Sequence, residues 1–537
     1  MGLGRALTTV MVVALTGTVS LLGVATQPAL ADSSPAAGPV PTRPGPPTAP
    51  EPGVPAGYRV LRRTPVAAGV EQLDLVRDKP PLVVHVARIT PDAAVSLRAV
   101  LSNDEVAGQD PIVERTSSMC QRVHCLLAVN GDFAGGDDQP LGGLLTGGEL
   151  LRSPSQSELQ LSVGNDGTLS AGQLVWSGTL VPTDFEPLTL AGVNVAGAPD
   201  ALTLYTPAYG PAAPPPTGPA TLVSLRNVEP AGPVKVGQTT MVEITGLTEQ
   251  LTGSAAGPIP GDGGLLAGRG PAADALRTLW NKVQTGQVSS RALLRIDTPG
   301  TVAESLGGSP ILVKDGARWF ADAANDFTRG RQPRTLVGWN PTGEKFLVTV
   351  DGRQPQTSVG MTLAEAADLL LALGATDGIN LDGGGSTTFV ADGTVVNTPS
   401  DVAVRRGGDE VIQHLASPGQ QVIGHVERPV TSALAVVPKN QVAVPPIPAE
   451  TGAASGLTQA LALAARSSTD PGSVPDGAVP ALVVGPEVGF GGALRLTAVV
   501  ADGIVAAALA VLFVTRRRRT HHGPGGLRPS ALKGALS

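Results

Sequence analysis

An α+β fold, with a mixed sheet of short strands and a few packed helices, is what the central part of this chain predicts. Three consecutive segments carry that expectation. KFLVTVDGR, residues 345–353, is an apolar strand ending near Asp351. The helix that follows is marked by Thr362 and Glu365, which have the spacing of a capping box. Leu363, Ala366, Ala367, Leu370 and Leu373 give it one apolar face, and Gly374 supplies a stop. Residues 378–382 then form the next strand. Strand–helix–strand order favours a right-handed parallel crossover. Asp351 and Asp382 would then share the C-terminal end of two strands, the edge where such sheets bind ligands.

That second strand belongs to the most informative run of the sequence, DGINLDGGGSTTFV, residues 377–390. Residues two apart in a strand share a face, so Asn380 and Asp382 look one way while Ile379 and Leu381 face a core. Gly383, Gly384 and Gly385 permit a sharp turn and close approach of a ligand to the backbone. A plain hairpin needs only one Gly or an Asp-Gly pair. Ser386, Thr387 and Thr388 add hydroxyls and N–H groups, so the run suits a polar, oxygen-rich ligand. The same spacing recurs in LLAVNGDF, residues 126–133, where Asn130 and Asp132 end an apolar strand. Arg353 is placed at the rim beside Asp351, although Asp351-Gly352 alone reads equally well as a turn pair. RQPRTLVGWN adds Arg331, Arg334, Thr335 and Trp339. A guanidinium is a rigid fork for phosphate or carboxylate, but an isolated Arg at a strand start is more often structural.

Elsewhere TLVSL, TMVEI, ALLRI and PILVKDG read as short strands. Residues 270–283 read as a helix, with Pro271 in the first turn and Ala275, Leu279 and Val283 on one face. Asp137 and Asp138 read as solvated loop charges. The chain has two cysteines, Cys120 and Cys125. Outside the cell such a pair forms a disulfide, here bracing the segment that enters the strand before Asn130. A metal reading with His124 lacks a second cluster of ligands.

The net charge of -7 provides no basic field for nucleic acid. An aromatic content of 3% is low for a long groove lined with sugar-stacking rings. Arg5, the apolar residues 6–24 and Ala29-Leu30-Ala31 read as a signal peptide over 1–31. A Pro/Ala-rich leader follows over 32–57. Near the other end, residues 496–515 are apolar and long enough for a transmembrane helix, though Asp502 opposes insertion. Arg516, Arg517, Arg518 and Arg519 would hold the 516–537 tail in the cytoplasm. Residues 437–490 read as a low-complexity stalk. The expected organisation is therefore an exported globular region, 58–436, anchored outside the plasma membrane.

Several of these segments resemble one family. GGSPILVKDG (residues 307–316), RQPRTLVGW, the whole of 348–390 and HVERPVTSAL (residues 425–434) together resemble the phosphodiester glycosidase domain family. This is the family of N-acetylglucosamine-1-phosphodiester α-N-acetylglucosaminidase, and it also occurs in bacterial exported proteins. VNGDF and IPGDGGLLAGRG are similar to further blocks, so the likeness runs over most of 120–436. It implies an exported hydrolase that releases a sugar and a phosphomonoester from a sugar-1-phosphodiester. By matching motif it implies site residues Asn130 and Asp132, Arg334 and Thr335, Asp351 and Arg353, and Asn380, Asp382, Gly383, Gly384, Gly385 and Ser386. The chain departs from the pattern at Ala134, where a second aromatic is frequent, and over 404–421, which looks like an insertion before ERPV.

The residue types fit that chemistry. Breaking the bond from an anomeric carbon to a phosphate oxygen expels a good leaving group. It needs cations on the phosphate, for which Arg334 and Arg353 are candidates. It also needs a carboxylate to activate water or to stabilise an oxocarbenium-like sugar. Asp382 is the first choice and Asp351 the second, with Asp132 added by the resemblance. No cofactor is required by these residues, although carboxylates beside a phosphate also suit a divalent cation. Two other readings stay open: a surface protein that binds glycan or phosphoglycan without chemistry, and a phosphodiesterase that splits P–O.

Overall fold

The computed structural model describes residues 53–439, apart from 108–112, 156, 254–256, 321–324, 407–408 and 415–419. The expected signal peptide, most of the leader, the stalk, the membrane helix and the basic tail lie outside the described residues. Among those described, no helix is long and apolar enough to cross a membrane.

The chain begins with three antiparallel strands, β1 (Arg59–Ala67), β2 (Val70–Asp78) and β3 (Pro81–Ile89). Strand β4 (Val95–Leu101) leaves for a second sheet, and helix α1 (Thr116–Arg122) leads into β5 (Leu127–Asn130). A disulfide joins Cys120 in α1 to Cys125, so the expected brace stands at the entry to β5. Between residues 177 and 297 the chain builds a separate eight-stranded sheet, covered by helix α2 (Pro271–Gln284). Ala273, Leu276 and Leu279 form the buried face of α2, so Leu276 takes the place expected for Ala275.

The chain then returns to the first sheet. Strands β6 (Ile311–Lys314), β7 (Arg334–Trp339) and β8 (Lys345–Val350) are followed by α3 (Leu363–Leu373) and β9 (Asp377–Asn380). Strands β10 (Phe389–Ala391) and β11 (Ser432–Pro438) complete the second sheet beside β5 and β4. The expected insertion over 404–421 contributes to a small antiparallel sheet of Val402–Arg406, Asp409–Gln413 and Val422–His425.

The first sheet runs β1-β2-β3-β8-β7-β9-β6, and each of these neighbouring pairs is antiparallel. In this sheet, then, the expected adjacent parallel crossover is not formed; the only parallel pair among the described residues, Gly192 with Thr203 and Val193 with Leu204, lies in the separate eight-stranded sheet. Strands β8 and β9 do point the same way, but β7 lies between them. The cause is local pairing: a turn at residues 340–343 folds β8 straight back on β7. Helix α3 then carries the chain across, and β9 pairs on the free edge of β7. The protein is accordingly richer in strand than an α+β reading suggests, with few helices.

Alternation along the strands explains the layers. Leu336, Phe346, Val348 and Val350 face α3 and its Leu363, Ala366, Ala367 and Leu370. Val337, Leu347 and Ile379 face the other way and meet Leu127, Val129, Phe389 and Leu434 of the second sheet. Each fully buried Leu or Val contributes about 2 kcal/mol to this packing. The capping box forms as expected: Glu365 N donates to Thr362 Oγ1 at 3.2 Å and Thr362 N to Glu365 Oε2 at 3.0 Å. Gly374 ends the helix with φ +98°.

Candidate active site

Strands β5 and β9 end side by side, one from each sheet, and one asparagine ties them. Asn130 Nδ2 donates to the Asp382 carbonyl at 2.7 Å. Its Oδ1 accepts from Thr335 Oγ1 at 2.6 Å and from Thr388 N at 3.1 Å. Both Asn130 and Thr335 are fully buried, so the structure places them beneath the site as struts. Asn380 Nδ2 donates to the Ser309 carbonyl at 2.7 Å, while its buried Oδ1 has no partner among the described residues.

Beyond β9 the chain makes one tight turn over Gly384–Ser386. Gly384 has φ +62°, the left-handed region that favours glycine. A Cβ on Gly385 would lie 1.9 Å from Arg428 Nη2, and one on Gly384 3.0 Å from Arg353 Nη2. Two guanidiniums therefore lie against the triglycine turn, which is why side chains are absent there.

Two carboxyls meet at this edge in unequal surroundings. Asp382 is half-buried, and its Oδ1 accepts from Gly383 N at 2.9 Å. Burial pushes its carboxyl up, against the pull of bonds from Ser386 and Gly383 and the charge on Arg428. Asp132 is only 3% exposed. It accepts from Phe133 N at 2.7 Å and Gly142 N at 2.6 Å, and a Cβ on Gly307 would lie 2.3 Å from it. Burial, reinforced by the charge of Asp382, raises it to about 7 despite those two N–H donors.

Asp351 does reach the same end of the sheet as Asp382, but it faces inward and is 2% exposed. Asn397 Nδ2 and Thr398 N each donate to it at 3.1 Å, and Ser358 Oγ donates to its carbonyl at 2.6 Å. His85 Nε2 lies 3.7 Å away, and His85 Nδ1 is 2.8 Å from Asp74. Burial works against a charged imidazole, yet Asp351 and Asp74 together hold it up at about 9. Asp351 thus ends a buried Asp–His–Asp array and fastens residues 397–398 below the site.

The arginines divide in the same way. Arg334 is buried, and its Nε and Nη2 donate to the carbonyls of Met361, Phe327 and Gly330. Its Nη1 makes none of these bonds. Burial, and then the neighbouring charge of Arg353, lower it to about 10. Arg353 is half-buried and, among the described residues, donates to neutral oxygens, Gln332 Oε1 at 2.8 Å and Ser400 Oγ at 3.5 Å. Its backbone is held at φ +60°, an uncommon region for a residue with a side chain. Burial and the charge of Arg428 disfavour its proton. Arg428 itself is neutralised by a two-pronged pair with Asp401, at 2.8 and 2.9 Å. Arg331 turns away to Glu365 and the Gly360 carbonyl. Among the described residues no cluster of three or more His, Cys, Asp or Glu is close enough to hold a metal ion.

Residues 238–437 match the phosphodiester glycosidase family. Over 130 residues the chain is 34% identical to N-acetylglucosamine-1-phosphodiester alpha-N-acetylglucosaminidase of Bos taurus, and the alignment takes in 22% of this chain and 24% of the relative. It is 32% identical to the Homo sapiens protein of that name over 130 residues. The chain thus spans about a quarter of the length of these curated relatives, 24% in each case. A crystal structure of a hypothetical protein from Synechocystis shares the fold, with a TM-score of 0.51 at 20% identity, over 70% of this chain and 63% of that one.

The matched stretch contains Arg334, Arg353, Asp382 and the triglycine turn, whereas Asn130 and Asp132 come before it. It also contains three site residues that motif reading passed over: Asn397, Asp401 and Arg428. Arg428 lay in the ERPV block, but nothing local to that block points it at Gly385. His85 carried a fainter signal, as a lone imidazole inside the apolar run PLVVHVARI.

Proposed function

We propose that this chain hydrolyses a sugar-1-phosphodiester by breaking the bond between the anomeric carbon and the phosphate oxygen. The observation that carries the reading is Arg353. It is a half-buried guanidinium with no carboxylate partner among the described residues, set against a triglycine turn that begins at Asp382. Such a group is satisfied by an anion such as a phosphodiester. The Nη1 of Arg334, without a hydrogen-bond partner among the described residues, adds a second donor nearby.

In the reaction the oxygen of water bonds to the anomeric carbon. The C–O electron pair leaves with the phosphate oxygen, and a proton of the water ends on the products, a free sugar and a phosphomonoester. Asp382, the more accessible carboxyl, directs the water or steadies the positive charge that develops on the sugar. Asp132 keeps a proton up to about pH 7, so it adds no like charge beside Asp382 below that pH. Asp351 and Asn130 act as positioning residues. The reaction as written uses no cofactor. N-acetylglucosamine, named in the curated relatives, is the first sugar to try. The disulfide supports an exported chain. The apolar residues 496–515 followed by four arginines support an anchor in the plasma membrane, with the site outside.

The test is turnover of a panel of sugar-1-phosphodiesters in ¹⁸O-labelled water. Label is expected in the sugar, and Asp382→Asn should lower kcat on the order of 10³-fold or more. Label in the phosphate would make the protein a P–O-cleaving phosphodiesterase. Binding without turnover would make it a glycan-binding surface protein.

A further inference from the structure

Against Phe327 lies a groove with a cavity of about 400 Å³, in the size range of small-ligand sites. Its walls include Pro310, Ile311, Trp319, Phe320 and Phe327, with Ser309 at the polar side. Aromatic residues make up only 3% of the chain, so three of them in one groove is a local concentration. Two are unusually open: Trp319 is 57% exposed and Phe327 44%. Large rings left in water gain by being covered.

The walls of the groove touch residues of the site. The Phe327 ring packs on that of Phe133, 6.2 Å between centroids, and Phe133 N donates to Asp132. The Phe327 carbonyl accepts from Arg334 at 2.7 Å. Ser309, on the groove wall, accepts through its carbonyl from Asn380 of β9. The contacts therefore run in one order: Arg353 and Arg428 on the triglycine turn, then Asp382, whose N–H donates to the Gly131 carbonyl, then Asp132, then Phe133, then the groove.

We infer that this groove seats the sugar ring of the substrate, with the phosphate and its second ester on the arginine side. The inference rests on the hydrolase reading above. In that reaction the anomeric carbon must sit at the carboxyls and the phosphate at the cations. The ring that carries the anomeric carbon is then left to the opposite side, which is the groove. A pyranose has a face of C–H bonds that lies well on an aromatic ring and a rim of hydroxyls for polar groups such as Ser309. The charged phosphate has no such match among apolar walls.

Direct binding to the purified full chain separates this inference from the question of turnover. The probes are a non-hydrolysable glycosyl phosphonate monoester and inorganic phosphate, titrated by calorimetry. Trp319→Ala should weaken the glycosyl phosphonate about tenfold and leave inorganic phosphate within about twofold. Phe327→Tyr should bind like the wild type. Equal weakening of both probes, no weakening of either, or a wild type that does not bind the phosphonate would each overturn the inference. A wild type that binds the phosphonate through these rings but hydrolyses none of the matching phosphodiesters would overturn the hydrolase reading alone.

Discussion

Asp382 and Asp132 are chemically identical groups in different surroundings, and the proposed reaction gives them different parts. Asp382 keeps a face towards solvent, whereas Asp132 is enclosed by Gly142, Gly307 and Phe133. Because burial holds Asp132 up at about 7, it is neutral below that pH and ionised above it. Ionisation puts two like charges at one edge. Activity should therefore fall as the pH rises through about 7, and Asp132→Asn should remove that alkaline limb while keeping part of kcat. A limb that persists unchanged in the variant would assign it to another group.

At the scale of elements, a buried carboxylate joins two strands and a turn outside the site. Glu304 lies in the strand Val302–Gly307 and accepts from Ala99 N of β4 at 2.9 Å and Gly147 N at 2.8 Å. Burial nevertheless raises it from 4.5 to about 7. Between those pH values the folded protein keeps a proton that the unfolded chain has lost. Stability must then fall as the pH rises through this window, by about 3 kcal/mol once the group is ionised. Asp132 acts in the same direction. Thermal unfolding followed from pH 4.5 to 7.5 should show this slope, and Glu304→Gln should lessen it. An identical slope in the variant would exclude Glu304 as a source.

For the molecule as a whole, the join between the two sheets is decisive. Apolar side chains hold the layers together, but Asn130 sets their register, binding the Asp382 carbonyl on one side and Thr335 and Thr388 on the other. Asn130→Ala leaves the Thr335 hydroxyl and the Thr388 N–H without their acceptor in a dry interior. It should cost about 2–4 kcal/mol of stability. Since the Asp382 backbone also loses its tether, kcat should drop together with the melting temperature. Wild-type values of both would show that packing alone sets the join.

How much was legible in the sequence follows from the range of the interactions involved. Helix α3 was readable with its cap and stop, because the capping box spans three residues and an apolar face repeats within two turns. The disulfide was readable because its two cysteines are five residues apart in an otherwise cysteine-free chain. The triglycine run announced a crowded turn, and the spacing of Asn130 with Asp132 and Asn380 with Asp382 placed both pairs at strand ends. Tertiary structure decided the rest. The Asn397–Asp351 bond closes over 46 residues and the Asn130–Asp382 bond over 252. The intrusion of β7 between β8 and β9 and the approach of Arg428 to Gly385 likewise depend on distant strands. Local patterns tell which face of an element is apolar. They do not tell which distant partner will satisfy a buried polar group, and that separates Asp382, left open to solvent, from Asp351, tied down beneath it.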